Sequence, residues 1–441
     1  MMATFNAEVF QNEFLAPDAN VVDAVITVTA SGSPVATAQS AVEFLIVDMS
    51  GSMNEGGGQK IRAALKATAA AIDCIRDGVS FGIIAGRENA RLIYPRHDLA
   101  VADAVTRRDA KAAVDGIAAE GGTAIGVWLD RARELADQMP GAIAHAILLT
   151  DGKNQHQEAW ELDKAIAAAS GHFQCDCRGL GADWNVAELR KIASALLGTV
   201  DIIPDPSEMT AEFTALMEHA MGKQVGGVGL RLWTPQGSTI EFLRQVSPTL
   251  EDLTATGVEI NPLTKDFPLG AWSGDEARDY HLRVSVPPAK VGDERLAARV
   301  MLQVDNTQTA AGLVRAVWTD DEAKSTRINR QVAHYTGQAE LAEVIADGLA
   351  AREAGDDKTA TIKLGRAVQL AHEAGNDGTV KLLEKVVDVD NPETGTVRLK
   401  HEVQNVDAMA LDVRSTRTVR VTGAKPAIQS ADADKTLEHG G

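Results

Sequence analysis

The chain has 441 residues, which is enough for about two to four domains. Hydrophobic residues make up 45% and charged residues 24% of the sequence, as is usual for a globular protein. The formal net charge of -19 repels phosphate backbones and anionic lipid. We therefore expect neither nucleic acid nor a membrane surface as a partner. We also expect no membrane insertion, because no apolar run is long enough to span a bilayer.

Residues 1–38 form the first extended segment of the sequence. The runs Phe5–Phe10 and Val21–Val28 carry alternating and β-branched residues, which are typical of strands, and Pro17 lies between them. We expect these N-terminal strands to join a β-sandwich formed by a later part of the chain.

Residues 39–222 alternate short apolar runs with alanine-rich helical patterns. This alternation predicts an α/β unit with a doubly wound, mostly parallel sheet covered by helices on both faces. The predicted strands are Val42–Val47, Val79–Ala85, Ala144–Leu149, Phe173–Leu180 and Val200–Ile203. The predicted helices are Lys60–Arg76, 100–118, Ala124–Met139, Gln157–Ser170, Val186–Leu197 and Ser207–Met221.

Residues 223–330 have few helical patterns and several strand-like runs between turns rich in Gly, Pro and Asp. This pattern predicts an antiparallel β-sandwich, into which the α/β unit would be inserted. The predicted strands are Val228–Trp233, Ser238–Gln245, Asp279–Val286, Ala297–Val304 and Ala311–Trp318. Four aromatic residues of this region are expected in its core, with a binding face as the alternative. They are Trp233, Trp272, Tyr280 and Trp318.

The rest of the chain is predicted to contain a small helical bundle at residues 331–390 and C-terminal strands at residues 391–423. Residues 424–441 are small and polar, which predicts a disordered tail. The tail ends in Gly440-Gly441. A flexible end is the simpler interpretation of this pair, and a ubiquitin-like conjugation role is the alternative.

Cysteine usage and the N-terminus indicate the compartment. The sequence has three cysteines, Cys74, Cys175 and Cys177. An odd number with no disulfide framework is typical of a protein in a reducing compartment. We find no secretory signal at the N-terminus and no apolar run of the roughly 18 residues that span a bilayer. We therefore expect a cytoplasmic protein. Cys175 and Cys177 share one face of a predicted strand and are interpreted as buried thiols, with a redox pair or half a zinc site as the alternative.

Polar side chains lie where two predicted strands end and where one helix begins. Asp48, Ser50 and Ser52 follow the strand Val42–Val47, and Asp151 follows the strand Ala144–Leu149. Ligands of doubly wound sheets bind outside the carboxyl ends of the strands, so these side chains are expected at one edge. A Gly-Gly turn before a predicted helix presents Thr123.

Two carboxylates and three hydroxyls are hard oxygen donors, which suit Mg²⁺. The set contains no soft ligand that would select zinc or copper. Because the hydroxyls are neutral, a dication held here would keep an open position, which a carboxylate from another protein could fill.

The order Asp48-x-Ser50-x-Ser52, Thr123 and Asp151 resembles the complete metal-ion-dependent adhesion site of von Willebrand factor A domains, such as integrin inserted domains. The resemblance covers roughly residues 41–221. It implies a site for Mg²⁺ or Mn²⁺ that binds an acidic side chain of a protein partner. It also implies that the last helix, predicted at Ser207–Met221, moves when affinity changes.

More broadly, the chain resembles cytoplasmic actinobacterial proteins of this type along nearly its whole length. Relatives of that kind accompany kinases, phosphatases, phosphopeptide-binding domains or tellurite-stress modules. The resemblance therefore implies a role in intracellular signalling, stress response or complex assembly. A scaffold subunit for an AAA+ ATPase, similar to chelatase-associated A domains, is the alternative.

Other chemistry has weaker support. We find no P-loop, His-Glu-x-x-His or Gly-x-Ser-x-Gly motif, so we expect no enzymatic activity. His145 lies in a predicted buried strand and is interpreted as a core histidine. His156 and Glu158 follow Asp151, where a metal-assisted hydrolase would place its base, although such clusters also cap helix starts.

Overall fold

The computed structural model describes residues 4–32 and 40–420. Its central sheet has the order β10-β9-β8-β4-β5-β6, and β7 pairs with β5. The five strands from β10 to β5 are parallel, whereas β6 and β7 run antiparallel at one edge. The strands are β4 (Ala41–Asp48), β5 (Ser80–Gly86), β6 (Ala90–Tyr94), β7 (Ala100–Val101), β8 (Ile143–Thr150), β9 (Gln174–Leu180) and β10 (Val200–Ile203).

Six helices cover the two faces of this sheet. They are α1 (Glu55–Cys74), α2 (Ala104–Asp115), α3 (Ile125–Ala136), α4 (Ala159–Ala169), α5 (Val186–Ala195) and α6 (Met209–Gly222). Alternate residues of the buried strands enter separate apolar cores: Phe44 and Ile46 pack with α3, α4 and α5, and Leu45 and Val47 pack with α1, α2 and α6. The predicted α/β class with additional antiparallel sheets and helices is confirmed.

The antiparallel part of the protein is a β-sandwich of two sheets. One sheet has the order β1-β3-β16-β12-β13 and the other β14-β15-β11-β17-β18-β2. The N-terminal strands are β1 (Thr4–Gln11), β2 (Phe14–Leu15) and β3 (Val21–Ser31). The others are β11 (Val228–Trp233), β12 (Thr239–Ser247), β13 (Glu251–Asp252), β14 (Val258–Asn261), β15 (Thr264–Pro268), β16 (Ala277–Ser285), β17 (Glu294–Val304) and β18 (Thr307–Trp318).

The N-terminal strands of the sandwich pair with strands that follow the α/β unit in the sequence. Strand β3 pairs with β1 and β16, and β2 pairs with β18, so the α/β unit lies between two parts of one β domain in the sequence. Trp272, Tyr280 and Trp318 are buried in the sandwich core, whereas Trp233 is half-buried. The core interpretation therefore holds for these three aromatic residues rather than the binding-face alternative.

The C-terminal part corrects one prediction. Residues 391–423 were expected to be strands. Up to residue 420, where the described part of this range ends, only the hairpin of β19 (Val387–Asn391) and β20 (Thr396–Leu399) forms strands, and α11 (Asn405–Arg414) is helical. Val406, Ala410 and Val413 recur at helical spacing and pack on the core of the α/β unit, which explains the helix. The preceding helices are α7 (Glu322–Ser325), α8 (Arg330–Glu353), α9 (Asp357–Glu373) and α10 (Asp377–Val386).

Two further predictions concern the C-terminal tail and membrane insertion. The predicted tail at residues 424–441, including Gly440 and Gly441, lies outside the described residues. Within the described residues, no helix combines the length and the apolar character required to cross a membrane.

Candidate metal centre

The predicted site residues Asp48, Ser50 and Ser52 lie at the carboxyl edge of the central sheet. Asp48 is the last residue of β4, and the loop after it is fixed by backbone hydrogen bonds to the end of β5 and to the loop before α3. Met49 N–H donates to the carbonyl of Gly86 at 2.8 Å, and Gly51 N–H donates to the carbonyl of Gly121 at 2.9 Å. The loop therefore has a defined conformation that depends on neighbouring elements.

A chain of hydrogen bonds joins Asp48 to Asp151. The Ser50 backbone N–H donates to Asp48 Oδ1 at 2.8 Å, and Ser50 Oγ lies 3.0 Å from Ser52 Oγ. Ser52 Oγ then donates to Asp151 Oδ1 at 2.6 Å. The structure thus brings together side chains that are 99 residues apart in the sequence.

Thr123 reaches the same cluster from the loop before α3. A Cβ placed on Gly152 would lie 3.4 Å from Ser52 Oγ and 3.6 Å from Thr123 Oγ1, so both hydroxyls border this one glycine. All five predicted residues therefore lie in one cluster. Asp48, Ser50, Thr123 and Asp151 are buried, and Ser52 is half-buried.

Three residues that the sequence analysis did not assign to the site hold the Thr123 loop or fill the cluster. Glu88 accepts a hydrogen bond from the Gly122 N–H at 2.7 Å, and His156 Nδ1 accepts one from the Thr123 N–H at 3.2 Å. Lys60 Nζ donates to Asp151 Oδ2 at 2.7 Å. No local sequence signal marks these partners, because each is separated from its contact by more than 30 residues.

His156 has a structural task that differs from the base considered above. Its ring packs so closely on the loop that a Cβ at Gly122 would lie 2.2 Å from it. Its backbone N–H also donates to the Thr123 carbonyl at 3.0 Å. Glu158 precedes α4, and its N–H donates to Glu161 at 2.9 Å, as in a helix cap. His156 therefore holds the loop that carries Thr123, and Glu158 caps the start of α4.

The electrostatics of the cluster suit a cation. Burial raises the pKa of Asp48 to about 6, although hydrogen bonds from Ser50 and Thr150 lower it, and the nearby Asp151 carboxylate raises it further. Lys60 is the cation that contacts Asp151, and it also lies 3.8 Å from the exposed Asp183. The ammonium group of Lys60 thus pairs with one of the two buried carboxylates, Asp151, and an additional positive charge would be stabilised beside Asp48.

The donor set fits a hard dication. The cluster presents two carboxylates and three hydroxyls, all of them oxygen donors of the kind that Mg²⁺ and Mn²⁺ prefer. It differs from sites built from His and Cys, and no group of three or more His, Cys, Asp and Glu side chains suited to a metal occurs in the part of the chain that the structure describes.

The two neighbouring cysteines lie elsewhere. Cys175 and Cys177 in β9 are buried in the apolar core beneath α4 and α5, with their sulfur atoms 3.9 Å apart. The contact with Cys177, and then burial, raises the pKa of Cys175 well above its usual range. This environment favours a neutral thiol, in agreement with the interpretation as buried thiols.

Comparisons with known proteins agree with this fold. A model of the von Willebrand factor type A domain matches residues 44–202, and a model of the von Willebrand factor type A C-terminal domain matches residues 369–415. A solved von Willebrand factor type A protein from Catenulispora acidiphila is 49% identical, with a TM-score of 0.90, and the alignment covers 95% of this chain and 98% of that one.

Two more distant relatives extend the comparison. The ArnB paralog VWA2 from Sulfolobus acidocaldarius is 16% identical with a TM-score of 0.57, and the alignment covers 95% of this chain and 98% of that one. Its likeness shows the fold alone. An uncharacterised protein from Synechocystis is 29% identical over 267 residues, which are 59% of this chain and 61% of that protein. The chain thus spans less than two thirds of this curated relative.

Proposed function

Because the chain belongs to the von Willebrand factor type A family, we propose that it is a metal-dependent protein-binding module. Five residues would hold Mg²⁺ or Mn²⁺, and an Asp or Glu side chain of a partner protein would complete the metal's ligands. They are Asp48, Ser50, Ser52, Thr123 and Asp151. The observation that carries the proposal is the hydrogen-bonded chain from buried Asp48 through Ser50 and Ser52 to buried Asp151.

The protein residues divide the work of such a site. Asp48 and Asp151 supply two negative charges, and the three hydroxyls supply neutral oxygen donors. When bound, the dication supplies a Lewis-acidic position that attracts an anionic ligand. This local positive charge matters because the whole protein carries a formal net charge of -19 and would otherwise repel an acidic partner.

Supporting residues keep the donors in place before any ligand arrives. Glu88 and His156 accept hydrogen bonds from the consecutive N–H groups of Gly122 and Thr123, and Thr150 Oγ1 donates to Asp48 Oδ2 at 2.6 Å. Such outer contacts orient metal ligands and reduce the entropy lost on binding. We propose that the site is preorganised, acts by binding alone and catalyses no reaction.

The wider role follows from the family resemblance. We propose a cytoplasmic module that assembles signalling or stress-response complexes, with kinases, phosphatases or phosphopeptide-binding proteins as candidate partners. A scaffold for an AAA+ ATPase remains the alternative. That alternative predicts co-purification with an ATPase that depends on nucleotide rather than on a divalent metal.

A capture experiment from native lysate tests the proposal. Wild type and Asp151→Ala are compared, each with Mg²⁺ and with EDTA, and Asp109→Ala serves as a control because Asp109 is an exposed carboxylate on α2. We expect a partner that is captured by wild type and Asp109→Ala only with Mg²⁺. Equal capture by all three proteins under both conditions would contradict the metal-dependent mechanism.

A further inference from the structure

A second polar chamber lies at the opposite edge of the sheet. It is a cavity of about 330 Å³ between the α/β unit and the β-sandwich. The first residues of β4, β8 and β9 line one side, α6 and the chain leaving it line another, and β12 and β16 close it. The volume lies at the lower end of the range of small-molecule pockets, roughly 300–1,000 Å³.

The floor of the cavity is a row of buried charges. His145 Nδ1 lies 2.9 Å from Glu43 Oε1, and His145 Nε2 lies 3.0 Å from Asp176 Oδ2. Asp176 Oδ1 also accepts the Thr199 backbone N–H at 2.7 Å. The carboxylates of the floor are thus already engaged by donors of the protein.

Arg178 extends from this floor into the cavity with a donor to spare. Its side chain is only 6% exposed. Nε donates to Glu212 Oε1 at 2.8 Å, and Nη1 donates to the Cys177 carbonyl at 2.9 Å and also contacts Thr199. Among the described residues, Nη2 has no hydrogen-bond partner.

Lys223 provides a second donor on the facing wall. Its side chain is 13% exposed, and Nζ donates to Glu276 Oε2 at 2.7 Å. An ammonium group has three donors, and within the described part of the chain Glu276 is the one acceptor paired with it. By contrast, Arg278 uses both Nη atoms on the carbonyls of Leu269 and Ala271.

The charge balance of the lining favours an anion. Burial is outweighed by Glu43 and Asp176, which raise the pKa of His145 to about 10, whereas burial lowers the pKa of the other lining histidine, His219. With His145 protonated and His219 neutral, five cationic side chains line the cavity against four carboxylates, in a protein that is strongly acidic overall. The cations are Arg76, His145, Arg178, Lys223 and Arg278, and the carboxylates are Glu43, Asp176, Glu212 and Glu276. Burial and then Arg278 lower the pKa of Lys223, although Glu276 and Asp176 oppose this effect.

We propose that this cavity binds a small carboxylate or phosphate compound, whose oxygen atoms accept hydrogen bonds from Arg178 Nη2 and Lys223 Nζ. Both donors are charged, and their hydrogen bonds to an anion are stronger than neutral ones. Because Arg178 belongs to β9 and Lys223 directly follows α6, the bound anion bridges the sheet and the connection to the β-sandwich. The site is separate from the candidate metal centre.

Isothermal titration calorimetry on the full chain tests this site with two probes, inorganic phosphate and succinate. EDTA excludes binding through a metal, and constant ionic strength excludes general salt effects. We expect saturable binding of at least one probe with a dissociation constant below about 1 mM. Binding of phosphate alone or of succinate alone supports the proposal and identifies the ligand class.

Two variants and a control assign the binding to the cavity. Lys223→Met and Arg178→Lys should each weaken binding by roughly tenfold or more, since each removes a charge-assisted hydrogen bond. Lys111→Met, which breaks a surface pair with Asp73, should leave the affinity unchanged. Circular dichroism checks that each variant folds. If Arg178→Lys does not fold, the affinity of Lys223→Met alone tests the proposal. The absence of saturable binding to either probe, or the same affinity in Lys223→Met, overturns the proposal.

Discussion

At the scale of single residues, Asp151 shows how the candidate metal centre balances charge. One of its oxygens accepts the Ser52 hydroxyl and the other accepts the Lys60 ammonium. Asp48, in contrast, has a neutral set of partners, and its pKa rises to about 6 because burial outweighs their hydrogen bonds. Lys60 therefore compensates part of the negative charge that a dication would otherwise neutralise.

Lys60→Met should increase the affinity for Mg²⁺ or Mn²⁺. The Lys60 charge repels a dication near Asp151, and the Lys60 ammonium competes with the dication for Asp151 Oδ2. Removal of this charge should therefore strengthen metal binding on the order of tenfold. Calorimetric titration with Mn²⁺ measures the change. Lys66→Met, which alters an exposed lysine of the same helix, is the control. Unchanged or weaker binding in Lys60→Met would show that Lys60 does not oppose the metal.

The site residues themselves could be predicted from the sequence because they follow strands. Asp48 and Asp151 come at the ends of buried parallel strands, and such ends meet at one edge of the sheet. Lys60 could not be predicted as their partner. Three consecutive glycines, Gly56 to Gly58, have positive φ and set the direction of the helix that carries Lys60. The periodicity of the sequence predicts a helix there but does not predict its direction.

At the scale of elements, long and strongly apolar segments were predicted well. The interior strands of the central sheet appear within about two residues of their predicted bounds, since burial on both faces gives continuous apolar runs. Strand β6 was missed because it is a short edge strand. Helix α11 was predicted as strand, because its apolar residues serve a tertiary contact with the α/β unit that the local composition does not reveal.

Arg414→Met should loosen the docking of α11. Arg414 Nε donates to Asp201 Oδ1 at 2.8 Å, and the side chain of Asp201 is only 4% exposed, so the variant leaves a buried carboxylate with Arg417 as its remaining ion-pair partner. We expect a loss of about 1–3 kcal/mol in the free energy of unfolding, measured with urea. Limited proteolysis should show earlier cleavage near α11.

A matched control separates this contact from a general loss of surface charge. Arg398→Met breaks an exposed ion pair with Asp390 in the hairpin of β19 and β20, and such pairs contribute little. Its stability should remain within about 0.5 kcal/mol of wild type. If both variants lose the same free energy, the Asp201 contact does not anchor α11.

At the scale of the whole molecule, polar groups occupy both ends of the central sheet. The candidate metal centre lies at the carboxyl edge, and the row of Glu43, His145 and Asp176 lies at the amino edge against the β-sandwich. The sequence analysis placed His145 in the core but could not identify its two carboxylate partners. These come from other strands, and Glu43 is 102 residues away.

This row predicts a decline in stability at alkaline pH. Burial alone would lower the pKa of His145, but Glu43 and Asp176 outweigh it and raise the pKa to about 10 from 6.5. A raised pKa in the folded state means that the stabilisation is fully present below about pH 6.5 and is lost as the pH rises toward 10. Burial raises the pKa of Glu43, although His145 opposes this effect. Burial would also raise the pKa of Asp176, but His145 and Arg178 outweigh it and lower that pKa. The titration of these two carboxyls therefore affects stability mainly at acidic pH.

Urea unfolding from pH 6.5 to 10 checks this window. Wild type should lose free energy of unfolding steadily across it, and His145→Gln should lose less, because it lacks the titrating imidazole. His172→Gln, which changes a more exposed histidine paired with Asp137, should follow wild type. Parallel curves for wild type and His145→Gln would contradict the assignment of the slope to His145.

The most direct test of the central claim is a crystal structure of the full chain grown with Mn²⁺ and measured for anomalous scattering. The account predicts one strong anomalous peak among the oxygen atoms of Asp48, Ser50, Ser52, Thr123 and Asp151. It also predicts that the peak disappears in Asp151→Ala crystals grown in the same way. A structure at saturating Mn²⁺ with no peak at this position, and with Lys60 still bound to Asp151, would contradict the proposal that the protein binds its partners through a metal.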